Sequence, residues 1–174
     1  MDDVRQRFLR HLRAVHIAGK LNDLPGHWQG RICIGQAAYK PGMYDLLHFC
    51  FSLESGILDD PNIGNRTDTE IAWLLCEYWG ALQEAWPEAF KRPGEYQSLT
   101  ILGVSALHWL FPEVFSLCQA RGGWSRDAIK RLLAETGINS EFWRTSGDAS
   151  RLSHSPKCLG GLVEYLEDRL PKAY

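Results

Sequence analysis

Tyr78-Trp79-Gly80-Ala81-Leu82-Gln83-Glu84-Ala85-Trp86-Pro87-Glu88-Ala89-Phe90 is the stretch on which the fold turns. Followed back to Ile71, it places Leu74, Leu75, Tyr78, Leu82, Ala85 and Trp86 on one face. Glu70, Glu77 and Glu84 fall together on the other, the period of an amphipathic helix. Thr67-Asp68-Thr69-Glu70 is a capping-box pattern that starts this helix, and Pro87 ends or kinks it. A long helix with so many large aromatic groups needs other helices to cover it.

Those helices are legible on both sides. Toward the carboxyl end, Arg92-Pro93-Gly94 is a break. Leu99, Leu102, Gly103, Ala106 and Leu110 then form a central, buried helix with a small-residue notch suited to close helix packing. Pro112 precedes another segment, Glu113 to Arg121, closed by Gly122-Gly123. Ser125 caps a helix carrying Ile129, Leu132 and Leu133 up to Gly137. Arg144 to Ser153 reads as polar connection. Ser155-Pro156 resembles a cap with proline in the first helical position, opening a last helix through Leu159, Leu162, Val163, Leu166 and Leu170.

Toward the amino end, Val4, Phe8, Leu12 and Val15 recur at helical spacing with Arg7, Arg10 and Arg13 opposite. This predicts a helix that is apolar inside and basic outside. Asn22 to Gly30 is a loop, and Arg31-Ile32-Cys33-Ile34 a short strand. Pro41-Gly42 turns the chain into a helix from Met43 to Glu54, and Asp59 to Arg66 is a loop. The expectation is a mainly α protein, a single compact multi-helix domain over residues 1–174 with at most one short strand or hairpin.

Bulk composition agrees. With 174 residues, 45% hydrophobic and 23% charged, the chain fits one domain able to bury about 70% of its unfolded surface. A net charge of -2 gives no global positive field, so nucleic-acid binding would need a local patch. Five widely spaced cysteines predict reduced thiols rather than a disulfide framework. Met1-Asp2-Asp3-Val4-Arg5 has no basic-then-apolar signal pattern, and the apolar stretch Leu99 to Phe111 falls short of the ~20 residues of a membrane span. A cytoplasmic protein is expected.

Motifs of chemistry are sparse. Asp59 to Glu70 has acids first and twelfth and Gly64 sixth, as in a calcium loop. Pro61 and Ile63 occupy places that need oxygen ligands, so Glu70 reads as a capping residue. His11 and His16 lie about 140° apart on their helix, and no paired Cys or His spacing suits zinc. Gly103-Val104-Ser105 lies in a helix rather than at a strand-to-helix elbow. No phosphate-binding glycine loop occurs, so neither metal nor cofactor is expected. Trp73 projects on the polar side of its helix as a partner-surface candidate. Two basic groups, Arg7, Arg10 and Arg13 and then Arg144, Arg151, His154 and Lys157, are candidates for contact with DNA phosphates. His108, Trp109 and Glu113 are the candidates for an enzyme site assembled from scattered residues.

Four segments carry a family resemblance. They are Gly30-Arg31-Ile32-Cys33-Ile34-Gly35; Ser55-Gly56-Ile57-Leu58-Asp59-Asp60; Tyr78-Trp79 through Trp86-Pro87-Glu88-Ala89-Phe90; and Leu102-Gly103-Val104-Ser105-Ala106-Leu107 through Leu110-Phe111-Pro112-Glu113-Val114-Phe115. Over roughly Arg5 to Leu170 the chain resembles the carboxy-terminal helical half of DGQHR-domain proteins, which include DndB-like proteins associated with DNA phosphorothioate modification. The Asp-Gly-Gln-His-Arg motif belongs to an amino-terminal part, similar to the ParB/sulfiredoxin fold, that has no counterpart here. The resemblance implies a non-catalytic helical module of a bacterial DNA-modification or antiviral-defence system. It would bind a partner protein, one carrying the DGQHR part, or DNA, or both. The alternatives are a small enzyme built on scattered His and Glu residues and a structural lid for a separate amino-terminal half.

Overall fold

From the amino terminus the chain forms α1 (Asp2–Asp23), β1 (Ile32–Cys33), β2 (Tyr44–Asp45), α2 (Leu46–Gly56), α3 (Pro61–Gly64), α4 (Asp68–Ala85), α5 (Pro87–Lys91), α6 (Ile101–Ala120), α7 (Arg126–Glu135), α8 (Asp148–Ser153) and α9 (Cys158–Arg169), with 3₁₀ turns at Pro93–Glu95 and Ser140–Trp143. The computed structural model describes residues 2–34, 43–154 and 158–172. The fold is mainly α, as the periodicity predicts.

α4 organises the interior. Its capping box is complete: the Glu70 carboxylate accepts the Thr67 N–H at 2.8 Å, and the Thr67 hydroxyl accepts the Glu70 N–H at 3.3 Å. The helix stops at Ala85 because Pro87 begins α5 and cannot donate backward. α4 packs on α1 and α7, while α6 packs on α2 and α9. Trp79, Trp86, Trp143, Tyr78 and Phe111 fill the space among them. Trp28, Phe49 and Trp79 meet edge to face, with ring centroids 4.9 Å apart in both Trp28 pairs.

α6 runs 20 residues, straight through Pro112, where the sequence suggested two segments. Pro112 has no N–H for the carbonyl of His108, four residues earlier. That carbonyl lies against α2, where a Cβ on Gly56 would come within 2.9 Å of its oxygen. Gly56 therefore gives the close helix approach that the notch at Gly103 was expected to give. Gly103 instead sits under the backbone of Gln97 and Ser98, with no room for a Cβ. Being continuous, α6 is also the one described helix long and apolar enough to cross a membrane, although most of it is buried in the bundle.

Three local expectations change. The strand at Ile32–Cys33 pairs in parallel with Tyr44–Asp45, residues assigned from sequence to a helix. Asp45 ends β2 and caps α2 by accepting the His48 N–H at 3.0 Å. α3 and α8 are short helices inside segments read as loops.

α1 is rolled away from the predicted orientation. Its buried residues are Ala14, Ile17, Ala18 and Leu21. At about 100° per residue these centre roughly a quarter-turn or more from the row Val4, Phe8, Leu12. That row is exposed, Val4 at 75% and Phe8 at 61%. The roll follows from the arginines. Arg10 pairs with Asp59 and donates to the carbonyl of Glu54, and Arg13 reaches Asp68 at 2.9 Å. The stripe predicted to face outward is thus turned onto α2 and the start of α4.

Candidate functional site

Three places hold groups whose type or setting calls for explanation. The first is a buried polar chain. Ser52 donates its hydroxyl to the carbonyl of Phe49 at 2.8 Å, so it accepts from Nδ1 of His108 at 2.7 Å. Nε2 of His108 is then left bare to accept the indole N–H of Trp79 at 3.3 Å. The network fixes a neutral imidazole with its proton on Nδ1. Burial pushes the His108 pKa down to about 3. Every polar atom of this ring is satisfied inside the core, which is how a structural histidine is held.

The scattered trio does not assemble. His108 is fully buried, Glu113 is on the surface, and Trp109 is half-exposed with its indole N–H donated to Ser55 Oγ at 3.0 Å. His108 and Glu113 are five residues apart on α6 and so project about 140° from one another. A proton could not pass between them without a path through the core. Among the described residues no three His, Cys, Asp or Glu side chains converge to hold a metal ion.

The second place is the basic surface. Arg13 uses its whole guanidinium internally, adding the carbonyls of Gly64 and Arg66, both at 2.7 Å, to Asp68. Arg10 is likewise engaged, and Arg7 is exposed. In the second group Arg144 pairs with Glu141 at 3.0 Å and lies 5.9 Å from the ring centre of Tyr96. Arg151 pairs with Asp148 at 3.1 Å and is 77% exposed. His154 donates from Nδ1 to the carbonyl of Ser150 at 2.7 Å. Lys157 and the Ser155-Pro156 cap lie outside the described residues. The two groups stand on different elements: α1 packs on α2 and α4, whereas α8 packs on α9 and the Ser140–Trp143 turn.

The third place is apolar. Val4, Phe8 and Leu12 follow one another at i, i+4 along α1, so they form a continuous exposed row. His11, beside that row, has its ring 6.4 Å from the ring of Phe51 on α2. Phe51 and Leu47, one turn apart, are themselves 54% and 50% exposed and place a second apolar pair on α2, across His11 from the row. Trp73 on α4, also 54% exposed, lines a separate shallow apolar groove with Arg66, Thr69, Glu70 and Leu74. From sequence, Val4, Phe8 and Leu12 read as core, because an apolar row carries no mark of whether it is covered.

Comparison of the chain with protein-family models, with characterised proteins and with solved structures gave no match.

Proposed function

We propose that this protein is a non-catalytic helical docking module whose α1/α2 face binds a partner protein. The observation that supports the reading is the apolar row Val4, Phe8 and Leu12, with Phe51 and Leu47 across His11 from it, left open to solvent. Contiguous exposed apolar surface marks interaction sites on proteins that otherwise bury such groups. The exposed Arg5 follows Val4 on the same helix and borders this face. An apolar partner helix with an acidic flank is the complementary surface. On the sequence resemblance, the partner is the part that carries the Asp-Gly-Gln-His-Arg motif, and the module acts as its lid in a DNA-modification or defence system. The internal use of Arg10 and Arg13 favours a protein over duplex DNA as the direct partner.

The test is co-expression with a protein carrying that motif, encoded by a neighbouring reading frame. A stable complex that is lost in Phe8→Glu and Phe51→Glu variants is the expected result. Failure to form a complex, or a complex indifferent to both substitutions, refutes the reading. Salt-sensitive binding of duplex DNA that disappears in Arg144→Ala and Arg151→Ala would put DNA in the place of the protein partner.

A further inference from the structure

His27 and Trp28 stand next to each other in the loop between α1 and β1, and the loop carries both into the interior, 5% and 4% exposed. Each keeps a buried ring nitrogen, Nδ1 of His27 and Nε1 of Trp28, with no hydrogen-bond partner among the described residues. A buried polar atom without a partner costs about 1–3 kcal/mol, so two in adjacent residues need a reason. Both residues line a cavity of about 90 Å³, closed further by Arg31, Met43, Tyr44, Pro93 and Leu99.

The lining has a consistent chemistry. Among the described residues no carboxylate contributes to it, and Arg31 makes no ion pair there. Trp28 can only donate, Arg31 can only donate, and His27, kept neutral with its pKa pushed down to about 3 by burial and by Arg31, donates from Nδ1 in the tautomer that carries its proton there. Met43, Pro93 and Leu99 supply apolar walls. Among the described lining residues one cation and neutral N–H donors match a single negative charge, whereas a dianion such as phosphate would be left half-compensated. Volume sets the size: an apolar cavity of about 150 Å³ accepts benzene, so one of about 90 Å³ accepts roughly three to five heavy atoms.

We propose that this cavity is a binding site for a short-chain monocarboxylate, of the size of acetate or propionate, with the carboxylate on Arg31, Trp28 and His27 and the alkyl end on Met43, Pro93 and Leu99. The site is separate from the docking face, and neither claim depends on the other. So small a ligand binds weakly, with a Kd of about 1 mM.

The experiment is a titration of the ¹⁵N-labelled full chain with sodium propionate at constant ionic strength, following the indole N–H resonances. One resonance, identified as Trp28 by its loss in Trp28→Phe, should shift saturably, and Arg31→Gln should weaken binding at least about tenfold, since a charge-assisted bond is lost. Arg31 is on the surface, so its variant keeps the fold even if Trp28→Phe does not, and the fold of each is read from the same spectra. Absence of a saturable shift, an equal shift with chloride or nitrate, or unchanged affinity in Arg31→Gln each overturns the proposal. Equal affinity for hexanoate overturns the size limit that the cavity sets.

Discussion

The carbonyl of His108 rests against the Cα of Gly56, the last residue of α2. A Cβ at Gly56 would lie 2.8 Å from the carbonyl carbon, 2.9 Å from its oxygen and 2.6 Å from Cδ1 of Trp109. Alanine in place of helical glycine ordinarily gains up to about 1 kcal/mol. Here two of the three obstructing atoms are backbone and cannot step aside, so overpacking of about 1–3 kcal/mol prevails. Gly56→Ala should lower stability by about 1–2 kcal/mol in urea unfolding. A stabilised variant would show that α2 and α6 are further apart than described.

The two interior histidines make the protein sensitive to acid. In the unfolded chain each takes up a proton as pH falls through about 6.5. In the folded chain each stays neutral until about 3, because burial disfavours the charged ring. Between those values the unfolded state binds more protons, so stability is intact above pH 6.5 and declines as pH falls toward 3. At pH 5 the loss is about 2 kcal/mol for each histidine. Unfolding free energies at pH 7 and pH 5 should differ accordingly, and His108→Leu should remove about half of that difference. The same variant should be less stable at pH 7 by about 2–4 kcal/mol, since it orphans the Trp79 N–H and reshapes the core. Equal stability of the native protein at the two pH values would contradict the neutral assignment of both rings.

What the sequence revealed and what it hid follow from the range of each effect. Capping at Thr67 and Ser125, the stop at Pro87 and the long apolar face of α4 are local, and they are found where the residue pattern puts them. The orientation of α1 is not local. Ala14, Ile17, Ala18 and Leu21 compete with Val4, Phe8 and Leu12 for the interior, and the outcome is set by Glu54, Asp59 and Asp68, which lie 40 or more positions from the arginines that meet them. The basic residues were legible as residues but not as partners, so a stripe that reads as a phosphate contact is largely an internal clamp. The cavity at His27 and Trp28 was hidden for a different reason. Proline and glycine mark that segment as a loop, and nothing in the pattern says that a loop will turn its two aromatic rings inward.

Arg13 offers a direct measure of the clamp. Its guanidinium joins α1 to the α3–α4 connection through Asp68 Oδ1 and the carbonyls of Gly64 and Arg66. Arg13→Ala strands two carbonyls and one carboxylate at a half-buried junction. Since the side chain is partly exposed, the expected loss is about 2 kcal/mol rather than the larger cost of a buried ion. Arg151→Ala, which removes only an exposed pair one turn away with Asp148, should cost less than about 0.5 kcal/mol. Chemical unfolding of the two variants checks the contrast, and near-equal small losses would free Arg13 for an outside partner.

The exposed row on α1 makes the opposite prediction, because a group already in water loses little when it becomes polar. Phe8 is 61% exposed and Phe51 54% exposed. Phe8→Ser and Phe51→Ser should each change stability by under about 1 kcal/mol, whereas emptying a buried phenylalanine costs about 3–5 kcal/mol. Binding of a fluorescent dye that reports apolar surface should fall in both variants while the unfolding midpoint stays nearly fixed. A loss above about 2 kcal/mol in Phe8→Ser would mean that α1 is covered by its own chain. In that case no open face remains for a partner, and the docking role would have to move to Trp73.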